Sequence, residues 1–210
     1  MHPPTFLEHD WYPGGIPGNV ALGEDVYLDS AYGFAAFHSE HEPGAVLGDA
    51  CGAYDRATLV AGPEGEVVVG PYTVLNGVYL VCSRRITVGA HCLLAWGAVI
   101  TDSWSPASLP PAARRALTRA AAADPRRILP PAGEPRPVTL EDNVWVGFDS
   151  VVLPGVTLGR GCVVGCKTVV GADVPPYAVV VGSPARILRH LDPDDTDEVR
   201  RRALVERARA

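Results

Sequence analysis

The chain has 210 residues, of which 22 are Gly and 20 are Pro, and it is 47% hydrophobic and 20% charged. That Gly and Pro load excludes a long helical bundle, because both residues interrupt helices, and the hydrophobic fraction excludes wholesale disorder. Eighteen Lys and Arg against 24 Asp and Glu leave a net charge of -6, which gives no general pull toward nucleic acid or an anionic membrane.

In chain order, residues 1–19 hold Trp11, Pro13 and the Gly14-Gly15 pair, and read as an arm over a first coil or an oligomer partner. The opening residues have neither a basic start nor an apolar core, so they do not read as a signal peptide. No apolar run approaches the roughly 18 residues of a membrane span. Cys51, Cys82, Cys92, Cys162 and Cys166 are odd in number and lack a CxxC pair. They read as small buried thiols of a reducing compartment, and the expectation is a soluble cytoplasmic protein.

From residue 20 the glycines become periodic. Leu22-Gly23, Leu47-Gly48, Val69-Gly70 and Val88-Gly89 mark successive starts, and Val88 leads by sixes to Leu94 and Ile100. After a break the period is strict: Leu140, Val146, Val152, Leu158, Val164 and Val170 are all aliphatic. The residues four after them, Val144, Ser150, Val156, Cys162, Thr168 and Val174, are small or β-branched. A period of six is neither helical nor a simple alternation. It suits short strands joined by tight turns, with Gly supplying a permissive backbone at the turn. Three such strands make one triangular coil of about 18 residues, and coils must stack to bury a core. The prediction is an all-β solenoid over residues 20–182.

The break, residues 105–137, has helix formers at Ala112–Ala123 bracketed by Pro. Residues 107–137 carry six Arg against Asp124 and Glu134, whereas residues 1–106 carry twelve acids against Arg56, Arg84 and Arg85. Such imbalance reads first as a solvated surface. Residues 183–210 read as a termination segment followed by a C-terminal helix. Val199, Ala203, Leu204 and Ala208 give that helix one apolar stripe to cap the open end of the solenoid.

The segment VWVGFDSVVLPGVTLGRGCVVGCKTVVGADVPPYAVVVGSPARIL closely resembles the C-terminal coils of hexapeptide-repeat acyltransferases, such as the xenobiotic, galactoside and maltose acetyltransferases. The resemblance implies a left-handed parallel β-helix, a homotrimer with sites between subunits, and an acyl-coenzyme A co-substrate, acetyl-coenzyme A first of all, without metal. It implies a loop over the active site in the 105–137 break. It also implies donor contacts at Asn143, Trp145, Gly147, Lys167 and Thr168, and a phosphate contact at Arg186. One departure is that Ala172 stands where the family often has Lys.

A second departure is larger. The family's catalytic His precedes a Pro just after the coil ITVGAHCLLAWGAVI, and Ser105 stands there. Asp102, Ser105 and His91 are the candidates for the acid–base role, against ordinary readings of Asp102 as a turn cap and His91 as a surface imidazole. His38 and His41 are candidates from elsewhere in the chain. Trp96, Ser103 and Trp104 suit an acceptor such as a small hydroxylated or aminated metabolite, or interface packing. The readings left open are an acyltransferase with a non-standard site, a non-acylating trimeric scaffold, and an isomerase or cyclase reusing the cleft.

Overall fold

The computed structural model describes residues 3–104, 109–125 and 133–192, and the C-terminal helix expected beyond 192 lies outside them. The chain winds around three sheets that form the sides of a triangular prism. The first holds Val20–Leu22, Ala45–Leu47, Glu66–Val69, Arg85–Val88, Val138–Leu140 and Thr157–Leu158. The second holds Tyr27–Leu28, Gly52–Tyr54, Val74–Asn76, Leu93–Leu94, Trp145–Val146, Val163–Val164 and Ala178–Val181. The third holds Thr58–Ala61, Tyr79–Cys82, Val99–Thr101, Val151–Val152 and Val169–Val170. From Ala45–Leu47 to Val169–Val170 consecutive strands occupy consecutive sides, and all these pairings are parallel.

The six-residue period sets the interior. Leu140, Val146, Val152, Leu158, Val164 and Val170 are at most 1% exposed, and each stacks on its equivalent in the next coil. Burying each such side chain contributes about 1.5–3 kcal/mol. The residues four further on are buried too, Ser150 and Thr168 among them. Their hydroxyls are satisfied locally, for example Ser150 Oγ donating to the Gly165 carbonyl at 2.8 Å.

The repeat glycines serve a different purpose from the one their spacing suggests. Gly48, Gly70, Gly89 and Gly159 have ordinary negative φ. A Cβ on Gly70 would lie 2.6 Å from the Gly89 carbonyl carbon, and one on Gly159 2.5 Å from the Pro176 nitrogen. These glycines permit coil-to-coil approach at a prism corner. At this corner the left-handed positions are taken by Ala50, Tyr72, His91 and Asn143, with φ between 52° and 58°, and in the coil after them by Gly161, at 66°.

Two departures from regular winding frame the prism. Between its first and second coils the chain makes a short 3-10 helix at Ala31–Phe34, and the N-terminal arm clamps it. Asp10 accepts from the Ser30 hydroxyl and the Ala31 amide. Burial would raise the Asp10 carboxyl, but the Tyr12 and Ala31 amides and the Ser30 hydroxyl outweigh it and hold the group low. At the other end Arg186–His190 folds back antiparallel on Ala178–Val181. The termination segment is therefore an edge strand, which a six-residue period cannot announce.

The insertion leaves and returns at the corner between the third and first sheets. Its stems are tied there: Arg136 N–H donates to the Asp102 carbonyl at 2.7 Å, and Gly155 N–H to the Arg136 carbonyl at 3.0 Å. It carries helix α1, Pro111–Ala123, with Pro at its first position.

Candidate active site

A triangular coil presents residues outward at its three corners and on its three faces, so the outward columns decide what can meet a ligand. The predicted site residues divide among all three corners.

The second corner, between the second and third sheets, gathers most of the donor candidates. Trp96, 47% exposed, donates from Nε1 to Asp55 Oδ2 at 2.6 Å and stacks on Phe148 at 5.5 Å with planes 19° apart. Gly77 lies under the Trp96 ring: its φ is +51°, and a Cβ there would come 2.8 Å from Trp96 Cδ1. One coil on, Lys167 reaches Asp149 at 3.4 Å. Both side chains are largely exposed, so the pair holds the ammonium only loosely. The turn after Val181 closes on the same column, with Gly182 N–H donating to Thr168 Oγ1 and Ala185 N–H to the Val169 carbonyl. Arg186 follows, exposed, with one bond from Nη1 to the Ala185 carbonyl. Two stacked aromatic rings followed by two cations form a strip suited to a ligand with a flat or apolar part and an anionic part.

Two donor candidates are buried. Thr168 is wholly buried, and its amide and hydroxyl are engaged with Ser150 and Gly182. It occupies the inward small position of its repeat, a signal already present in the six-residue register. Gly147 is buried too, its N–H donates to the Val164 carbonyl at 2.8 Å, and a Cβ there would stand 2.8 Å from the Cys166 amide nitrogen.

The first corner, between the first and second sheets, joins His91 to Asn143 in consecutive coils, with Asn143 N–H donating to the Ala90 carbonyl. The His91 ring lies flat on Tyr72, 5.1 Å away with planes 8° apart, and is exposed. Trp145, 49% exposed, stands on the adjacent face beside Leu93 and Val163 in an apolar row.

The third corner holds Asp102, Ser103 and Trp104. Asp102 is 0% exposed. Its Oδ1 accepts from the Ser83 amide at 2.8 Å, and Oδ2 from the Arg84 and Arg85 amides at 2.7 and 2.8 Å. The Cys82 thiol also approaches Oδ2, at 3.6 Å. Burial first, and the Asp102 charge second, push that thiol well up. Asp102 is thus a buried turn cap at the root of the insertion, which corrects the expectation of an accessible base there. Ser103 Oγ lies 2.8 Å from Ser83 Oγ, and Trp104 is half exposed. Ser105 lies outside the described residues. His38 and His41 sit on an early coil, where His41 Nε2 meets the Glu64 carbonyl at 3.2 Å.

Phe148, Asp55 and Tyr72 were not anticipated. Phe148 stands where Trp96 stands one coil earlier, but the insertion separates them in sequence, so the pairing is visible only once its length is removed from the count.

The bacterial transferase hexapeptide (six repeats) family matches residues 137–172. A candidate acetyltransferase of Schizosaccharomyces pombe is 48% identical over 56 residues, 27% of each chain. The chloramphenicol acetyltransferase of Agrobacterium fabrum is 39% identical over 66 residues, 31% of this chain and 30% of that one. The chain thus aligns with under a third of the length of these relatives. Among solved structures, a hexapeptide-repeat acetyltransferase of Vibrio cholerae, complexed with acetyl-coenzyme A, superposes with a TM-score of 0.56 at 28% identity, over 77% of this chain and 76% of that one. AntD, an N-acyltransferase from Bacillus cereus in complex with dTDP and coenzyme A, gives 0.55 at 14% identity, over 90% of each chain, and bears on the fold alone. The architecture is the left-handed parallel β-helix of hexapeptide-repeat proteins.

Proposed function

We propose that this hexapeptide-repeat β-helix transfers an acyl group from acyl-coenzyme A to a hydroxyl or amine of a small metabolite, acting as a homotrimer with its sites between subunits. The observation that carries the reading is the second-corner column, where Trp96 and Phe148 lead to Lys167 and Arg186. The likeness to the acetyl-coenzyme A-bound Vibrio cholerae protein supports it. In this reading the aromatic rings and the apolar face beside them take the pantetheine arm, and Lys167 and Arg186 take the phosphates.

The chemistry asks for a base, an oxyanion site and a leaving group. The acceptor hydroxyl or amine attacks the thioester carbonyl and gives its proton to the base. The tetrahedral oxyanion takes hydrogen bonds from backbone amides, and collapse expels the thiol of coenzyme A, which receives a proton. Asp102 is committed to three amides, so the base in this reading is His91, the exposed imidazole stacked on Tyr72, presented from the first corner of one subunit to the donor column of its neighbour, with Ser103 and Trp104 on the acceptor side.

The test is release of coenzyme A thiol from acetyl-coenzyme A across a panel of sugars, amines and aminoglycoside-like acceptors. His91→Ala should lower kcat by about a hundredfold or more while leaving acetyl-coenzyme A binding in place. A second reading, a non-acylating scaffold with the same clefts, draws on Ser105 and on the capped Asp102. Transferase activity that appears only in Ser105→His would favour it, and robust activity of the parent protein would eliminate it.

A further inference from the structure

Charge along this chain is segregated, and α1 carries three of its 18 cations and no acid. Residues 107–137 hold six Arg against two acids in a protein of net charge -6. Arg114, Arg115 and Arg119 lie on α1 and are exposed. Among the described residues, ion pairs engage Arg84, Arg85, Arg160 and Lys167, and none engages these three.

The helix gains little from carrying them. No acidic residue stands in its first turn, and two of the arginines lie near that end, where the helix dipole disfavours positive charge. Arg115 and Arg119 are four apart, so their like charges face each other on the surface. Only Ala121 of the helix is buried, so tertiary packing offsets little of this cost. At about 100° per residue, all three arginines and Thr118 fall on one arc of about 140°. The opposite arc is Ala and Leu117. A stripe that works against its own helix is explained by a ligand of opposite charge more readily than by stability.

The insertion that carries α1 is rooted beside polar groups. The insertion stems close at the third corner, where Trp104 is half exposed and the Ser83 and Ser103 hydroxyls face each other at 2.8 Å. Lys167 and Arg186, the cations assigned above to the donor, belong to a different corner.

We propose that the arginine face of α1 binds a phosphate group of the acceptor, so that the acceptor is a phosphorylated or diphosphate-linked small molecule rather than a neutral one. The proposal rests on the acyltransferase reading for the word acceptor, but the binding site stands or falls on its own measurement. Guanidinium groups supply paired N–H donors matched to phosphate oxygens.

The test is calorimetric titration of the full-length protein with inorganic pyrophosphate, and separately with coenzyme A, at low ionic strength. Arg115→Gln/Arg119→Gln removes the charge with good helix formers, and Arg115→Glu/Arg119→Glu reverses it. Far-ultraviolet circular dichroism checks that both variants fold. The expected result is pyrophosphate affinity lower by about tenfold in the Gln pair and further lowered in the Glu pair, with coenzyme A affinity within twofold of the parent. Pyrophosphate affinity equal in all three proteins, or no binding by the parent, overturns the proposal. Equal loss of pyrophosphate and coenzyme A would place the phosphate on the donor and overturn the assignment to the acceptor. Failure of coenzyme A to bind the parent, with pyrophosphate binding intact and charge-dependent, would count against the acyltransferase reading alone.

Discussion

Asp102→Ala separates the two roles open to that carboxylate. In the parent protein three backbone amides, those of Ser83, Arg84 and Arg85, end on its two oxygens within 2.8 Å, and the side chain is 0% exposed. A hydrogen bond to a charged group contributes about 1.5–3 kcal/mol, and a buried donor left unmet costs about 1–3 kcal/mol. Arg84 and Arg85 are exposed, so water can reach two of the freed amides and reduce the sum. The expected loss is about 3–5 kcal/mol, or on the order of 10 °C in Tm for a chain of this size. Asp102→Asn should fall between, since its amide keeps one acceptor but sets an N–H2 against N–H donors. The assay is thermal or urea unfolding of parent and variants. A Tm within 1 °C of the parent together with a collapsed turnover would refute the cap and restore Asp102 as a base.

Four further outcomes follow from the geometry. Gly70→Ala should cost about 2–3 kcal/mol, because its Cβ would meet the Gly89 backbone at 2.6 Å, and urea midpoints measure this. Trp96→Ala should cost no more than about 1.5 kcal/mol of stability, given its exposure, yet weaken acetyl-coenzyme A binding about tenfold; unchanged binding would remove Trp96 from the donor strip. In the native protein at pH 8 a thiol reagent should modify Cys166 alone, with acetyl-coenzyme A slowing it, because Cys166 is exposed, against the expectation of five buried thiols, while burial raises the other four, Cys162 to about 12. Asp10→Asn should destabilise the protein at neutral pH. The native state holds the Asp10 carboxyl low, so its contribution is complete above the ordinary value near 4 and fades as pH falls below it. Unfolding curves of parent and variant should therefore converge in acid.

The interior of this fold was legible because burial imposes one rule on every coil. Leu140 to Val170 by sixes, and the small residues four behind them, are interior in both readings. The turns were less legible. The spacing suggests Gly as a permissive turn residue, whereas Tyr72, His91 and Asn143 hold left-handed positions with Gly77, Gly97 and Gly161, and Gly48, Gly70 and Gly89 allow coils to touch. Outward residues obey no such period, so their grouping depended on counting coils across an irregular first turn and a long insertion. Trp96 and Phe148 became neighbours only in three dimensions. Asp102 looked available in sequence because nothing local reveals three amides, 17 to 19 residues earlier in the chain, converging on it.

The central claim is that the second-corner column holds an acyl-coenzyme A. Calorimetric titration of the pure protein with acetyl-coenzyme A measures it directly. The expected result is one site per chain with a dissociation constant in about the micromolar to millimolar range, weakened in Trp96→Ala and in Arg186→Ala. Absence of binding at several millimolar, or full-strength binding in both variants, would contradict it.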